Sequence, residues 1–531
     1  MKILYHDLTS CIIVNNFISQ PEKISRLVKQ GCSLSPLLYV LCLELFVRKV
    51  CKDKDFEGLK LPGSPEQCKI SVFADDGTSI LTTDKSIKKF LYLINLFGKL
   101  PSGSKLNKNK TKGLWLGAWK NRKDNYKFGI DFVECIKIVG FKISNNVTQD
   151  DIWHPIYVKF ENVLNLWKFR HLSLLEKSLV VNVLATSKIW YIGSVLHMSK
   201  YYISKFQRLI FNFMWNSKSE PLARKTMYKS KDSGGLNIVN IEYKLYALRL
   251  KHIQDIIVNK NVKFINFSIY WIGYKLRDLN FNLASLSVPH SDLISPFYIK
   301  CLKVLNIFKN KCNNIVLGQY STNIIYNLML NSDNHVIKIV ERYFNIDYSF
   351  VFKNVFDKFI DKFSRDVMYR IIHEILPVNF LMFKYNISKS YKCVHCNEVE
   401  TLRHLFFECT FNSNLLVLIK NWIFALSNGI ICLNFENIIF QDMEISNHKI
   451  KSVILLIISL YCKTVWLNRN VKKFEKKNVN SNTVYLNFLS QLKLRILADF
   501  ERLPTIKFIE YWCNNDLFCN IKNELLNVTF Y

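Results

Sequence analysis

Residues 69–81 read Lys-Ile-Ser-Val-Phe-Ala-Asp-Asp-Gly-Thr-Ser-Ile-Leu. An alternating apolar run, two adjacent carboxylates, a glycine and a second run specify a tight β-hairpin with Asp75 and Asp76 at its tip. A lone hairpin is marginal in water, so this one must sit in a layered fold that covers its apolar face. Paired carboxylates at such a tip suit Mg2+, a hard cation that keeps waters and takes one or two protein oxygens beside substrate phosphates. Two such ions, about 4 Å apart, clamp the attacking and leaving oxygens of a phosphoryl transfer. Asp-Asp-Gly also makes an ordinary solvated turn, and taken alone the tripeptide does not choose.

The surrounding chain narrows the choice. At 531 residues it exceeds one ordinary core, and two to four domains are expected. Apolar residues at 49% exclude a mostly disordered protein. Lys and Arg number 73 against 42 Asp and Glu, a formal charge of +31 that calls for a polyanionic partner, most simply nucleic acid. The 15 cysteines are spread along the chain, and Met1-Lys2-Ile3-Leu4-Tyr5-His6-Asp7 breaks any signal-peptide core. Both point to a reducing compartment, nuclear and/or cytoplasmic and not secreted, with thiols free or metal-bound. The apolar run Val453 to Cys462 is about half of the ~20 residues a membrane span needs. It reads as a buried helix, and no membrane partner is expected.

Periodicity gives an α+β chain. Ile12-Ile13-Val14 with Asn15-Asn16 reads as a short hairpin, and Pro36 to Val50 as a helix with Ser35 as its cap. Segment 69–145 is strand-rich, with strands expected at Gly113–Gly117 and Ile136–Phe141 and a helix at Ser86–Leu100. Beyond residue 150 helical spacing dominates: Val158–Phe169, Leu174–Trp190, Tyr202–Trp215 and Ile241–Ile257, with a turn at Asp232–Leu236. Segment 260–380 and the Lys- and Asn-rich tail after 425 also read as helical.

Several blocks then recur in a telling order. Lys29-Gln30-Gly31-Cys32-Ser33-Leu34-Ser35-Pro36 precedes Phe73-Ala74-Asp75-Asp76; Ser102-Gly103-Ser104-Lys105-Leu106-Asn107 with Lys110-Thr111 follows, then Val139-Gly140-Phe141, then Gly234-Gly235-Leu236 with Ala247-Leu248-Arg249. The set resembles the polymerase blocks of non-LTR (LINE-type) retrotransposon reverse transcriptases over roughly residues 1–255. Five blocks in order make chance a poor explanation. Ser33 and Ser104 depart from the family's proline and leucine.

The resemblance implies a partial right-hand polymerase palm, an antiparallel sheet plus helices, over 1–145, then a helical thumb over 146–260 and a helical connector over 261–385. Asp75 would be the Mg2+ ligand with Asp76 in support, and Lys110 would face the leaving pyrophosphate. Gln30, Gly31, Ser35, Pro36 and Phe73 would shape the nucleotide and template pocket. Val139, Gly140 and Phe141 would form the primer grip, though they also suit an ordinary core strand. Family polymerases carry a further aspartate block well upstream of the Gln-Gly block, and here 29 residues precede Gln30. The expectation is a truncated RNA-directed DNA polymerase with little activity alone.

A second constellation is Cys393-x2-Cys396-x7-His404-x4-Cys409. Three thiolates and an imidazole close a tetrahedral shell, so structural zinc is expected over 386–425. His395 is an alternative ligand. The stretch resembles the zinc-binding module that follows the polymerase in such elements. Over 426–531 a basic helical tail contains Trp466-Leu467-Asn468-Arg469-Asn470, followed by Lys472, Lys473, Lys476 and Lys477. That run suits either phosphate contact or a solvated face. RNA template and DNA primer or target are the implied partners. The alternative function is a non-catalytic nucleic-acid-binding remnant using the basic surface and the zinc module.

Overall fold

A computed structural model of the chain describes residues 9–23, 33–74, 76–99, 106–124, 126–258, 265–283, 285–286, 293–312, 320–343, 346–514, 517–522 and 525–530. It divides into two compact units that interleave in sequence. The first comprises Met1–Lys159, Lys188–Tyr202 and Leu245–Tyr326; the second comprises Phe160–Ser187, Ile203–Lys244 and Asn327–Tyr531.

In the first unit short strands pair locally. Ile13–Val14 folds onto Phe17–Ile18 through Asn15 and Asn16, at φ 49° and 67°. Both turn residues are left-handed, the geometry that matches strand twist and that asparagine tolerates. The other antiparallel pairs are Thr9–Ser10 with Glu22–Lys23, Leu59–Lys60 with Gln67–Cys68, Ile70–Phe73 with Asp76–Ser79, and Cys135–Ile138 with Phe141–Ser144. Lys112–Gly113 lies parallel to Ile130–Phe132 in the one three-stranded ladder among the described residues. The fold is thus α+β, but the described strands form separate ladders instead of one continuous sheet. Most of these strands of two to four residues are held by the turn that joins them, Thr9–Ser10 and Lys112–Gly113 being the exceptions. Gly113–Gly117, expected as one strand, leaves the ladder after Gly113 because Trp115 turns to stack on Phe132 at 3.9 Å.

The helix Asp84–Lys99 holds this unit together by serving two cores. Phe90, Ile94 and Phe97 pack with Phe46, Val50, Phe56 and Ile70, whereas Ile87 and Leu91 pack with Trp115, Ile130 and Phe132. Its first residue, Asp84, takes a bidentate contact from Arg122 at 2.8 Å, and that guanidinium holds its carboxyl down to about 2. The helix Ser35–Lys52 starts one residue earlier than expected. Leu34 occupies the cap position without a side-chain bond, and Ser35 and Pro36 lie in the first turn. Further along, Arg249 is buried and donates to the carbonyls of Ser194 and Leu196, at 2.9 and 2.7 Å. It thereby satisfies open acceptors at the end of the helix Ser187–Val195.

The second unit is built around the helix His448–Asn470. Residues Ser452 through Cys462 are buried without interruption, and Lys362–Ile372, Ser413–Leu426, Ser481–Arg502 and Thr505–Trp512 pack around it. By length and composition the stretch His448–Glu475 is apolar enough to cross a membrane, and 72% of its apolar window is buried inside the unit. The tail is helical to Trp512 and then closes in a β-hairpin, Cys519–Lys522 with Leu525–Val528, which periodicity did not reveal. Gly234 and Gly235 form a tight junction. Gly234 stands at φ 77°, and its carbonyl accepts from Tyr369 Oη at 3.1 Å and His373 Nε2 at 2.9 Å.

Candidate functional site

The Asp-Asp hairpin pairs Ile70 with Ser79 and Phe73 with Asp76. Ala74 takes φ 53°, a left-handed turn position. Asp76 therefore opens the returning strand, exposed beside Phe73, which is 68% exposed. Asp75 lies outside the described residues, as do Gln30 and Gly31. Ser35 is buried and Pro36 exposed on the helix behind that segment. Lys110 sits on a turn organised by Asn107, whose carbonyl accepts from the amides of Lys110 and Thr111 and from the Thr111 hydroxyl, at 3.1, 2.9 and 2.8 Å. The Asn-x-x-Lys-Thr spacing thus serves the local fold.

Val139 and Gly140 are the two-residue loop of a hairpin, at φ 45° and 86°, with Ile138 paired to Phe141. Apolar patterning alone places them within a strand, whereas the primer-grip resemblance implies a hairpin, which is what forms. Left-handed φ is costly at a β-branched residue. Tyr191, from the helix Ser187–Val195, holds the turn: its Oη donates to the Val139 carbonyl at 2.5 Å and its ring lies 5.0 Å from that of Phe141. A Cβ on Gly140 would approach the Tyr191 ring to 3.3 Å. Sequence reading missed Tyr191, which falls just past the helical run that ended at Trp190.

The Cys/His constellation comes together as a four-ligand cluster. One ligand atom each from Cys393, Cys396, His404 and Cys409 lies within 4.8 Å of the others. Cys396 Sγ stands 3.1 Å from His404 Nε2 and 3.9 Å from Cys409 Sγ. A tetrahedral zinc with ~2.3 Å bonds to sulfur needs sulfur–sulfur edges of about 3.8 Å, so the donor set and spacing fit that ion. Local backbone creates the spacing. Cys393 N donates to Glu398 O at 2.7 Å, closing the knuckle around Asn397 at φ 65°. Cys409 N donates to His404 O at 2.8 Å, a widened i to i+5 turn that faces both side chains the same way. The Cys393 thiol is held down to about 4, first by the Cys409 S–H and then by the amides of His395 and Cys396, while Cys409 is pushed up by that neighbour. Of the three thiols one is thus shifted towards the thiolate that binds metal, and two, Cys396 and Cys409, away from it.

His395 is not in the cluster. It stacks on Phe411 at 3.8 Å, and its Nδ1 faces Lys472 Nζ at 3.2 Å. Burial, with Lys472 beside it, holds its ring pKa down to about 4. Neither reading of Arg469 survives either: its side chain is 0% exposed and pairs with Glu400, itself 0% exposed. The partner lies 69 residues upstream, beyond any local pattern.

Residues 2–143 match the family model described as reverse transcriptase (RNA-dependent DNA polymerase), and residues 320–415 match the one described as zinc-binding in reverse transcriptase. The Transposon TX1 uncharacterized 149 kDa protein of Xenopus laevis is 26% identical over 274 residues, which cover 48% of this chain and 20% of that protein. The chain thus spans about a fifth of the length of this curated relative.

Proposed function

We propose that this chain belongs to the non-LTR (LINE-type) retrotransposon reverse transcriptases and contributes palm, thumb and zinc module to RNA-templated DNA synthesis. The supporting observation is the hairpin register, in which Phe73 pairs with Asp76, in a chain of formal charge +31. In this reading Asp75 is the Mg2+ ligand and Asp76 supports it. When bound, the ion stabilises charge on the reacting phosphate oxygens. Lys110 offers an ammonium to the leaving pyrophosphate. Gln30, Gly31, Ser35, Pro36 and Phe73 line the template and nucleotide side. Val139, Gly140 and Phe141 present a stiff turn to the primer end. Cys393, Cys396, His404 and Cys409 hold structural zinc. Thiolate ligands require a reducing compartment, so the reading puts the chain in the nucleus or cytoplasm.

Primer extension on a homopolymeric RNA template with Mg2+ tests it. The chain is assayed alone and fused behind an aspartate-bearing palm segment from a relative. Synthesis in the fusion that falls at least about a hundredfold in Asp75→Ala supports the reading, by the scale expected for losing a group that organises transition-state charge. Synthesis indifferent to Asp75, or none in a folded fusion, sinks it. The basic charge also favours a second reading, a nucleic-acid-binding protein without catalysis, for which RNA binding unaffected by Asp75→Ala and no synthesis are the expected pair.

A further inference from the structure

The motif Trp466-Leu467-Asn468-Arg469-Asn470 is left without a surface role, because Arg469 is fully buried. We infer that Arg469 is a positioning residue for the metal site: through Glu400 and Asn379 it ties both ligand-bearing arms of the knuckle to the helix His448–Asn470, so that zinc retention and docking of that helix's end form one coupled equilibrium. The inference rests on the zinc reading of the four-ligand cluster.

The guanidinium makes a closed set of bonds. Nη2 donates to Glu400 Oε1 at 2.5 Å and to Asn379 Oδ1 at 2.6 Å; Nε donates to Glu400 Oε1 at 3.1 Å, and Nη1 to Asn470 Oδ1 at 3.0 Å. Glu400 Oε1 also accepts from the Asn379 amide at 2.7 Å. From this hub one path reaches each arm. Asn379 Nδ2 donates at 2.6 Å to the carbonyl of Lys392, the residue before Cys393. Glu400 directly precedes Thr401, whose hydroxyl accepts from the His404 amide at 3.0 Å. The same helix adds a third tie, Tyr461 Oη donating to the Phe406 carbonyl at 2.9 Å within the turn between His404 and Cys409.

A buried ion pair is a weak source of net stability, since desolvation offsets most of its attraction. What it supplies is geometry. The fork fixes two planar partners at once, which a compact ammonium cannot do. Groups that orient metal ligands typically cost ten- to a hundredfold in metal affinity when removed.

The test uses the full chain and a double variant, Arg469→Met with Glu400→Met, which leaves no unpaired buried charge; Cys396→Ser is the ligand control. Co2+ absorption reports the ligand field, a chromogenic chelator reports zinc release, and hydrogen exchange reports residues 463–475. The expected results are a tetrahedral thiolate spectrum in the parent and zinc release at least about ten times faster in the folded double variant. Chelation should also speed exchange over 463–475 in the parent, a readout that stands even if the double variant does not fold. Unchanged release and spectrum in the folded double variant overturn the inference, as does exchange over 463–475 that ignores chelation. A parent chain with no Co2+ spectrum, indistinguishable from Cys396→Ser, would instead remove the zinc reading and the inference with it.

Discussion

Val139 holds φ 45° although it is β-branched, and Tyr191 is the group that pins it there through a 2.5 Å bond to its carbonyl. Tyr191→Phe should cost this turn about 1 kcal/mol, the usual net worth of a hydrogen bond. Amide exchange of the Ile138–Phe141 pair should then quicken about fivefold; unchanged exchange would mean the ring alone holds the turn. His373 sets a pH dependence in the second unit. Its Nε2 must carry the proton donated to Gly234, its Nδ1 is buried without a partner, and burial holds its pKa down to about 4. A depressed histidine contributes stability above its unfolded value near 6.5 that is lost as pH falls through 4, roughly 3 kcal/mol in all. Asp366 opposes it. Burial raises that carboxyl to about 6, so its contribution is present below 3.8 and lost as pH rises through 6. Denaturant titrations between pH 7 and 4 should therefore show a steeper acid loss in Asp366→Asn than in the parent. Identical curves would count against both assignments.

Among the elements, tight junctions matter more than long strands. A Cβ on Gly235 would lie 1.9 Å from the Lys229 carbonyl oxygen and 2.7 Å from that of Thr226, both backbone atoms. Gly235→Ala should destabilise the second unit by about 3 kcal/mol or more, as a forced backbone shift does. Gly77→Ala, whose Cβ meets nothing within 4 Å, should cost less than about 1 kcal/mol. Comparable denaturation midpoints would refute the packing argument. These junctions also mark how far sequence reaches. The Asn15-Asn16 turn and the Cys-x-x-Cys knuckle were legible because their geometry is decided within a few residues. At Val139-Gly140 composition alone reads as strand and only the family resemblance reads as hairpin, because a valine at a left-handed position is unfavourable until Tyr191 supplies its anchor. The pairing of Arg469 with Glu400 was illegible for a related reason: a charged residue in a basic run looks solvated, and its burial is decided 69 residues away.

At the scale of the whole molecule, charge and chain order dominate. With a formal +31, binding to single-stranded RNA should weaken steeply with salt. For six to ten phosphate contacts the slope of log K against log salt is about −4 to −7. A slope shallower than about −2 in a filter-binding or anisotropy titration would mean that the excess charge is not spent on the nucleic-acid backbone.

The uninterrupted burial of Ser452 through Cys462 has a consequence for how the chain is made. Segments Phe160–Ser187 and Ile203–Lys244 belong to the unit built around this helix, yet they leave the ribosome long before it. At roughly 5–20 residues per second, the wait is on the order of tens of seconds. During that interval those early helices can pack only on one another, as Phe160 does on Phe206, and on the segments that precede residue 448. Synthesis in the cell should therefore lean on holding chaperones, and ribosomes stalled before residue 448 should leave a nascent chain that is stickier and more protease-sensitive than one extended past the helix His448–Asn470.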